Sequence, residues 1–176
     1  MPDARRMLDE IVLGAIAGAA ATWVMGKVTT VLYERESRSA REREDRVRHG
    51  STAYAVAAAK GARLLGVELD DARRERYGTM IHRALGVGTG ALYAALVDRL
   101  PRAGLARGLA FGAAFFLLVD EGLVYALGLT PGPTRFPWQT HARGLAGHLV
   151  YGAVADTVVR AAGGRPSGDD GRSVTG

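Results

Sequence analysis

The sequence contains no cysteine among its 176 residues. Disulfide bonds, thiolate metal sites and thiol catalysis are therefore excluded. Enzyme signatures are missing as well, because neither an H-E-x-x-H nor a G-x-S-x-G motif occurs. The glycine-rich run at residues 86–90 follows a helical pattern rather than a strand, so it does not predict a nucleotide-binding loop. We expect a chain with no enzyme activity, no cofactor and no metal site.

Acidic side chains are in the minority. There are 18 Asp and Glu residues against 23 Lys and Arg residues, which gives a formal net charge of +5. In a soluble protein this excess would suggest a nucleic-acid partner. Here the basic residues flank apolar blocks, which is typical of membrane topology signals and of contacts with anionic lipid head groups. We therefore expect a lipid bilayer as the partner, and no nucleic acid.

The apolar residues are concentrated in four blocks, residues 11–32, 80–98, 105–129 and 141–162. As a helix, the first block would be about 33 Å long, which matches the hydrocarbon core of a bilayer. Residues 19–21 could mimic a signal-peptide cleavage site, but the apolar run continues past them and the polar lead of residues 1–10 contains acidic residues. The pattern predicts an all-α integral membrane bundle of four transmembrane helices.

Each apolar block carries small residues at four-residue intervals, which places them on one face of a helix. In the last block this face also holds His148 and Asp156, and the opposite face is aliphatic. Glycines at this spacing let neighbouring helices approach closely in a membrane. We expect helix packing through Gly14, Gly18, Gly86, Gly90, Gly108, Gly112, Gly144 and Gly152.

Residues 33–79 form a charged connecting segment that should be partly helical. Charges of alternating sign from Glu34 to Arg48 predict a solvated helical extension of the first span. Residues 53–65 predict a further helix, capped by Ser51 or Thr52, that is too polar to cross a membrane. It should lie on the membrane surface or pack on the bundle. An aspartate at 70 or 71 should cap the helix leading into the second block.

The other connections are shorter. The turn at residues 99–104 should make the second and third spans antiparallel neighbours. Residues 130–140 form a proline-rich loop with three prolines, after which Thr140 can cap the fourth span. The tail of residues 163–176 is rich in Gly, Ser, Pro and Asp and is expected to be disordered.

Titratable side chains should converge at one end of this bundle. The first and third spans end on the side of the charged segment, and the second and fourth begin there, so His82, Asp120, Glu121 and His148 should lie at similar depth. Charges in a membrane are normally paired, protonated or in contact with water. Two interpretations stay open: a polar vestibule for a proton, an ion or a small polar solute, and a structural hydrogen bond from Asp120 or Glu121 to His148.

Two further expectations concern this cluster. His148 should lie within hydrogen-bonding or one-water distance of one of the two carboxylates. A metal site that adds His141 to Asp120, Glu121 and His148 is conceivable with nitrogen and oxygen ligands, but the spacing is not diagnostic.

Three short motifs carry a resemblance to a known family. Leu127-Gly128-Leu129-Thr130-Pro131 ends a helix, Phe136-Pro137-Trp138 lies in the loop, and Gly147-His148-Leu149-Val150 lies in the last span. Through them the chain resembles the YagU-type family of bacterial inner-membrane proteins. The resemblance implies a small multi-pass protein of the bacterial cytoplasmic membrane with a link to acid tolerance, and it brings no catalytic residues. The long Arg/Glu-rich segment and the adjacent Asp120-Glu121 pair depart from the family pattern.

Basic residues are more numerous on the side of the charged segment, which places that side in the cytoplasm. Two functions remain open. One is a membrane protein whose inward polar site handles protons or a small polar solute, with a role in acid or envelope stress. The other is a structural or adaptor protein that presents the charged segment to a partner protein or to anionic lipid. A homo-oligomer is compatible with either.

Overall fold

The computed structural model describes residues 2–97 and 105–162, and every regular element within these ranges is helical. In chain order the elements are α1 (Pro2–Arg35), α2 (Arg38–Arg48), α3 (Ala53–Leu64), α4 (Asp71–Leu96), α5 (Leu105–Phe115), a π-helical stretch (Phe116–Leu123), α6 (Val124–Ala126), a 3-10 turn (Pro133–Arg135) and α7 (Trp138–Ala162). The all-α class predicted from the sequence is confirmed.

Helix α1 is the centre of the packing, because it contacts both α4 and α7. Helix α7 in turn packs against α5, and α3 packs on the outside of α4. Small buried side chains of α1, Ala17 and Ala21, meet the larger rings of Tyr93 and Tyr151 in the apolar core. The long helices are therefore held in the order α4, α1, α7, α5.

The contact between α1 and α4 is made by backbone against backbone. A Cβ atom on Gly90 would lie 2.4 Å from the carbonyl oxygen of Gly14 and 2.5 Å from the Cα atom of Gly18. A Cβ atom on Gly18 would lie 2.5 Å from the carbonyl oxygen of Gly86. Residue numbers rise along α1 as they fall along α4, so the two helices are antiparallel. The first two glycine pairs predicted from the sequence face each other here.

Helices α5 and α7 meet in the same way. A Cβ atom on Gly108 would lie 2.4 Å from the carbonyl oxygen of Gly152, and one on Gly112 would lie 2.1 Å from that of His148. Gly144 faces the ring of Phe116 instead of backbone, at 2.7 Å from its Cε2 atom. Gly147, which the four-residue spacing did not single out, faces Met25 and Thr29 of α1. Helix α7 therefore uses two adjacent faces of small residues, one for each neighbour.

Several boundaries differ from those expected. Helix α1 begins at Pro2, so residues 2–10 are helical rather than a separate lead. The charged run is not an extension of α1, because the chain bends at 36–37 and Ser37 caps a new helix by accepting a hydrogen bond from the Ala40 N–H. Thr52 and Asp70 cap α3 and α4. Helix α7 begins at Trp138, so Thr140 is inside the helix and does not cap it.

The third apolar block is not a regular helix. It passes from α5 into the π-helical stretch and ends at Ala126, after which Gly128 has a positive φ of 59°. The predicted proline-rich loop contains the short 3-10 turn. Asp98, the turn at 99–104 and the tail at 163–176 lie outside the described residues.

Two of the described helices are long and apolar enough to cross a membrane, Met7–Arg35 and Ala106–Ala126. Only 22% of the most apolar window of the first and 17% of that of the second is buried by the rest of the chain. Large apolar side chains such as Leu117 and Leu118 are therefore exposed on their outer faces.

Candidate polar site

A cavity of about 380 Å³ opens where α2, α3, the π-helical stretch and the start of α7 meet. Its wall includes three of the four side chains predicted to converge, His82, Asp120 and Glu121. The fourth, His148, lies just behind the wall beside a smaller space of about 20 Å³ that His82 also lines. The structure therefore brings all four side chains to one end of the long helices.

The π-helical stretch presents the two carboxylates. In a π-helix the backbone hydrogen bonds join residues five positions apart, whereas in an α-helix they join residues four positions apart. Here the Val124 N–H donates to the Val119 carbonyl oxygen. Asp120 and Glu121 are consecutive, yet both side chains line the cavity. Each is about three-quarters buried, with exposed fractions of 31% and 23%. Wide turns of this kind occur often at functional sites.

His148 lies close to Asp120 without a direct hydrogen bond. Its Nδ1 atom is 3.7 Å from the nearer Asp120 oxygen and 2.9 Å from the Gly144 carbonyl oxygen. A carbonyl oxygen can only accept, so Nδ1 carries a proton and donates it to Gly144. The ring is buried between Phe115 and Phe116. The distance to Asp120 is within the range expected from the sequence, but the ring is oriented by backbone rather than by the carboxylate.

Glu121 pairs with a histidine that the sequence had placed only in a hypothetical metal site. The Nδ1 atom of His141 is 2.6 Å from a Glu121 oxygen, and its Nε2 atom is 3.1 Å from the Pro133 carbonyl oxygen. Because the carbonyl can only accept, Nε2 must carry a proton. The contact with Glu121 then holds one more proton, either on Nδ1 of an imidazolium or on the carboxyl group. Glu121 is thus occupied, and Asp120 is the carboxylate free to meet a solute.

The inner end of the cavity is closed by aromatic and hydroxyl groups. The ring of Tyr54 from α3 covers His82, with centroids 4.8 Å apart. Behind them, the small space is lined by Thr22, Thr89 and Tyr151 as well as by the two histidines. A space of this size and polarity suits about one water molecule. Tyr151 donates to the Gly86 carbonyl oxygen at 2.6 Å, which fixes α7 against α4 just below this point.

An ion-pair cluster forms one side of the site, and the sequence analysis missed it. Arg143 of α7 donates to both oxygens of Glu44 at 2.6 and 2.7 Å and also binds Glu36. Glu44 further accepts from Arg48 at 2.7 Å and from the Thr140 hydroxyl at 2.8 Å. Glu44 is 3% exposed. The charged run was expected to be solvated, but this residue is the point where α2 docks on α7.

A signal for this docking exists in the sequence. Ala40, Glu44, Val47 and Arg48 recur at helical spacing, and the small and aliphatic members mark a face that does not belong to a fully solvated helix. Ala40 is buried together with Glu44. Burial by itself would raise the pKa of Glu44, but the hydrogen bonds and positive charges of Arg143 and Arg48 outweigh it and lower that pKa below its ordinary value of 4.5.

The lowered pKa of Glu44 predicts how stability depends on pH. A carboxyl group with a lowered pKa in the folded state stabilises the fold fully above its unfolded pKa, and this contribution is lost as the pH falls through the folded pKa. We expect the difference in melting temperature between wild type and Glu44→Gln to be constant above about pH 5 and to shrink below about pH 4. Thermal unfolding of both proteins in detergent across this range measures it. A difference that grows on acidification would contradict the assignment.

A second buried charge lies at the opposite end of the long helices. Asp156 is fully buried and accepts hydrogen bonds from Tyr93 at 2.5 Å, from Arg107 at 2.9 Å and from Arg160 at 2.7 Å. Arg107 also donates to the Val97 carbonyl oxygen at 3.2 Å. These contacts join α4, α5 and α7, so the group is a structural lock rather than part of the cavity.

The described residues hold no group of three or more His, Asp or Glu side chains arranged to bind a metal ion. Comparison with protein-family models, with curated proteins and with solved structures gives no match. The resemblance to the YagU-type family therefore stays a prediction.

Proposed function

We propose that this chain is a multi-pass protein of the bacterial inner membrane whose polar cavity takes up and releases protons, alone or together with a small polar solute. The observation that carries the proposal is the position of Asp120. It lies at the wall of an open cavity, on a π-helical turn of one of the most apolar helices in the chain, and makes no hydrogen bond to another described residue. The Nδ1 atom of His148, on the neighbouring helix α7, is 3.7 Å away.

The membrane placement is supported by the exposed apolar surface. The core helix of a soluble protein is also long and apolar, but it is mostly buried by its own chain. Here only 22% and 17% of the residues in the two candidate windows are buried. Exposed apolar surface on this scale needs lipid or another protein to cover it.

The way in which the helices are paired supports four spans rather than two. Helix α4 contacts α1 backbone to backbone at Gly86 and Gly90, and α7 contacts α5 in the same way at Gly152. If α1 and α5 cross the bilayer, their partners are carried into it over the same depth. Helices α4 and α7 have 26 and 25 residues, lengths of about 39 and 37 Å that are sufficient for a span. The cavity would then open on the cytoplasmic side, where basic residues are most numerous.

Alkaline carbonate extraction tests the membrane placement. We expect the protein to stay in the membrane pellet, because four packed apolar helices are held by the hydrocarbon core and not by surface charge. A marker protein known to be peripheral should be released in the same sample. Release of this chain together with the marker would reject the integral placement.

Asp120→Asn tests the role of the cavity. In proteoliposomes with an entrapped pH indicator, wild type should speed the decay of an imposed pH gradient. The variant should slow it to the rate of protein-free vesicles, because an amide keeps the size of the side chain but cannot exchange a proton. Asp71→Asn is the matched control, since the Asp71 side chain is 98% exposed at the start of α4; it should behave as wild type.

Either of two results would reject proton handling. One is a gradient that decays no faster with wild type than without protein, and the other is full activity in Asp120→Asn. The adaptor interpretation would then gain support, with the Asp120–His148 contact serving to hold helices together. Deletion of residues 38–63 would not separate the two functions, because α2 and α3 form part of the cavity wall.

A further inference from the structure

We infer that the groove between α2 and the start of α7 is a binding site for the head group of an anionic phospholipid. We call it the head-group groove and define it by Ser39, Arg43, Arg46, Pro137 and Trp138, which line a space of about 460 Å³. It is separate from the polar cavity, and the inference rests on the proposed membrane placement.

The charge of the groove is not neutralised by the protein. The other arginines of α2 are engaged: Arg38 pairs with Glu42, Arg48 with Glu44, and the Arg41 guanidinium lies over the Tyr33 ring. Arg43 and Arg46 are exposed and form no ion pair with any residue in the described ranges. No Asp or Glu side chain lines the groove. Because they are three residues apart, the two guanidinium groups lie on the same face of α2. Their positive charges are not neutralised by an acidic side chain in the described part of the chain.

Other groups in the groove suit a phosphate ester. Guanidinium groups bind phosphate through paired N–H donors, and the Ser39 hydroxyl adds another donor. Helix α7 begins at Trp138, so the positive end of its dipole lies at the groove as well. These groups select for an anion rather than for a neutral or cationic head group.

A lipid is favoured over a free anion by the surroundings of the groove. Trp138 lines it with a side chain that is 72% exposed, and Phe136 lies beneath. A tryptophan of this kind is typical of the boundary between head groups and acyl chains. The groove is also next to the end of α1, one of the two candidate spans. In the proposed orientation it faces the leaflet of the cytoplasmic side, where anionic lipids attract basic residues.

The test uses purified protein in an uncharged detergent, with melting temperature followed against added dioctanoyl phosphatidylglycerol. Dioctanoyl phosphatidylcholine and inorganic phosphate are added in parallel. We expect phosphatidylglycerol to raise the melting temperature of wild type and the other two additives to have much smaller effects. In Arg43→Gln/Arg46→Gln the apparent affinity for phosphatidylglycerol should fall roughly thirtyfold, about fivefold for each basic residue removed.

Arg38→Gln/Arg76→Gln is the matched control, because it removes the same charge from exposed positions outside the groove and should keep the wild-type affinity. Both groove arginines are exposed, so the variant should fold; unchanged helix content by circular dichroism checks this. If phosphatidylcholine stabilises as well as phosphatidylglycerol, or if both double variants lose affinity equally, the site is rejected. Equal stabilisation by inorganic phosphate would identify an anion site and reject the lipid.

This experiment does not depend on the proton function. Loss of phosphatidylglycerol binding in the groove variant with pH-gradient decay unchanged would support the groove alone. Release of the protein by carbonate would reject the spans, whatever the lipid result.

Discussion

Replacing Gly90 with alanine should destabilise the protein, whereas the same replacement at Gly88, two residues earlier in the same helix, should stabilise it. The added methyl group on Gly90 would lie 2.4 Å from the carbonyl oxygen of Gly14 and 2.5 Å from backbone atoms of Gly18. Backbone atoms cannot change rotamer to relieve the contact as a side chain can, so α1 and α4 would have to move apart. Overpacking of this kind typically costs about 1–3 kcal/mol.

Gly88→Ala is a closely matched control. No atom lies within 4 Å of a Cβ at Gly88, and the residue is in the middle of α4, where alanine is favoured over glycine by about 1 kcal/mol. The two variants have the same composition and differ only in the face that carries the methyl group. Thermal or denaturant unfolding in detergent should therefore separate them by about 2–4 kcal/mol. Equal stability of the two would show that close approach of α1 and α4 is not what holds them together.

The glycine contacts could be anticipated because they depend on helical period alone. Four-residue spacing puts Gly86 and Gly90 on one face whatever the partner is, and a face of small residues favours close helix contact. The second contact face of α7, at Gly147, was not anticipated. Its partners on α1 are Met25 and Thr29, and nothing in the local sequence of α7 specifies which two helices it must touch.

The site was predictable in part for a related reason. Depth along antiparallel helices follows from counting residues, so the convergence of His82, Asp120, Glu121 and His148 could be expected. The hydrogen bonds could not be, because they depend on local backbone geometry. The π-helical turn directs two consecutive carboxylates into one cavity, and the Gly144 carbonyl oxygen accepts a hydrogen bond from the His148 ring.

The role of α2 was mispredicted because charge pattern alone does not reveal burial. Alternating Arg and Glu residues stabilise a solvated helix, and they also suit a helix that buries one acid against a distant arginine. The deciding residue, Arg143, is about a hundred positions away in the chain from Glu44, its partner. Only the tertiary fold brings the two together, at 2.6 Å.

The largest electrostatic effect should come from Asp156. In Asp156→Asn the carboxylate that Tyr93, Arg107 and Arg160 all contact becomes a neutral amide. Arg160 can return to solvent, since its side chain is 43% exposed, but the Arg107 side chain is only 11% exposed and would keep a nearly buried charge without its counter-ion. Breaking a buried pair by removing one partner costs about 3–5 kcal/mol.

If the loss of stability comes from a buried charge left without its counter-ion, removing the second charge as well should restore part of the stability. Arg107→Met alone should also be strongly destabilising, because it leaves the fully buried Asp156 carboxylate with Tyr93 and Arg160 only. The double variant Asp156→Leu/Arg107→Met leaves neither charge buried without its counter-ion, so it should be more stable than the single variants Asp156→Leu and Arg107→Met. A full cycle of unfolding free energies in detergent measures the coupling. Additive losses in the double variant would mean that the two charges stabilise the fold independently, and the proposed lock between α5 and α7 would be wrong.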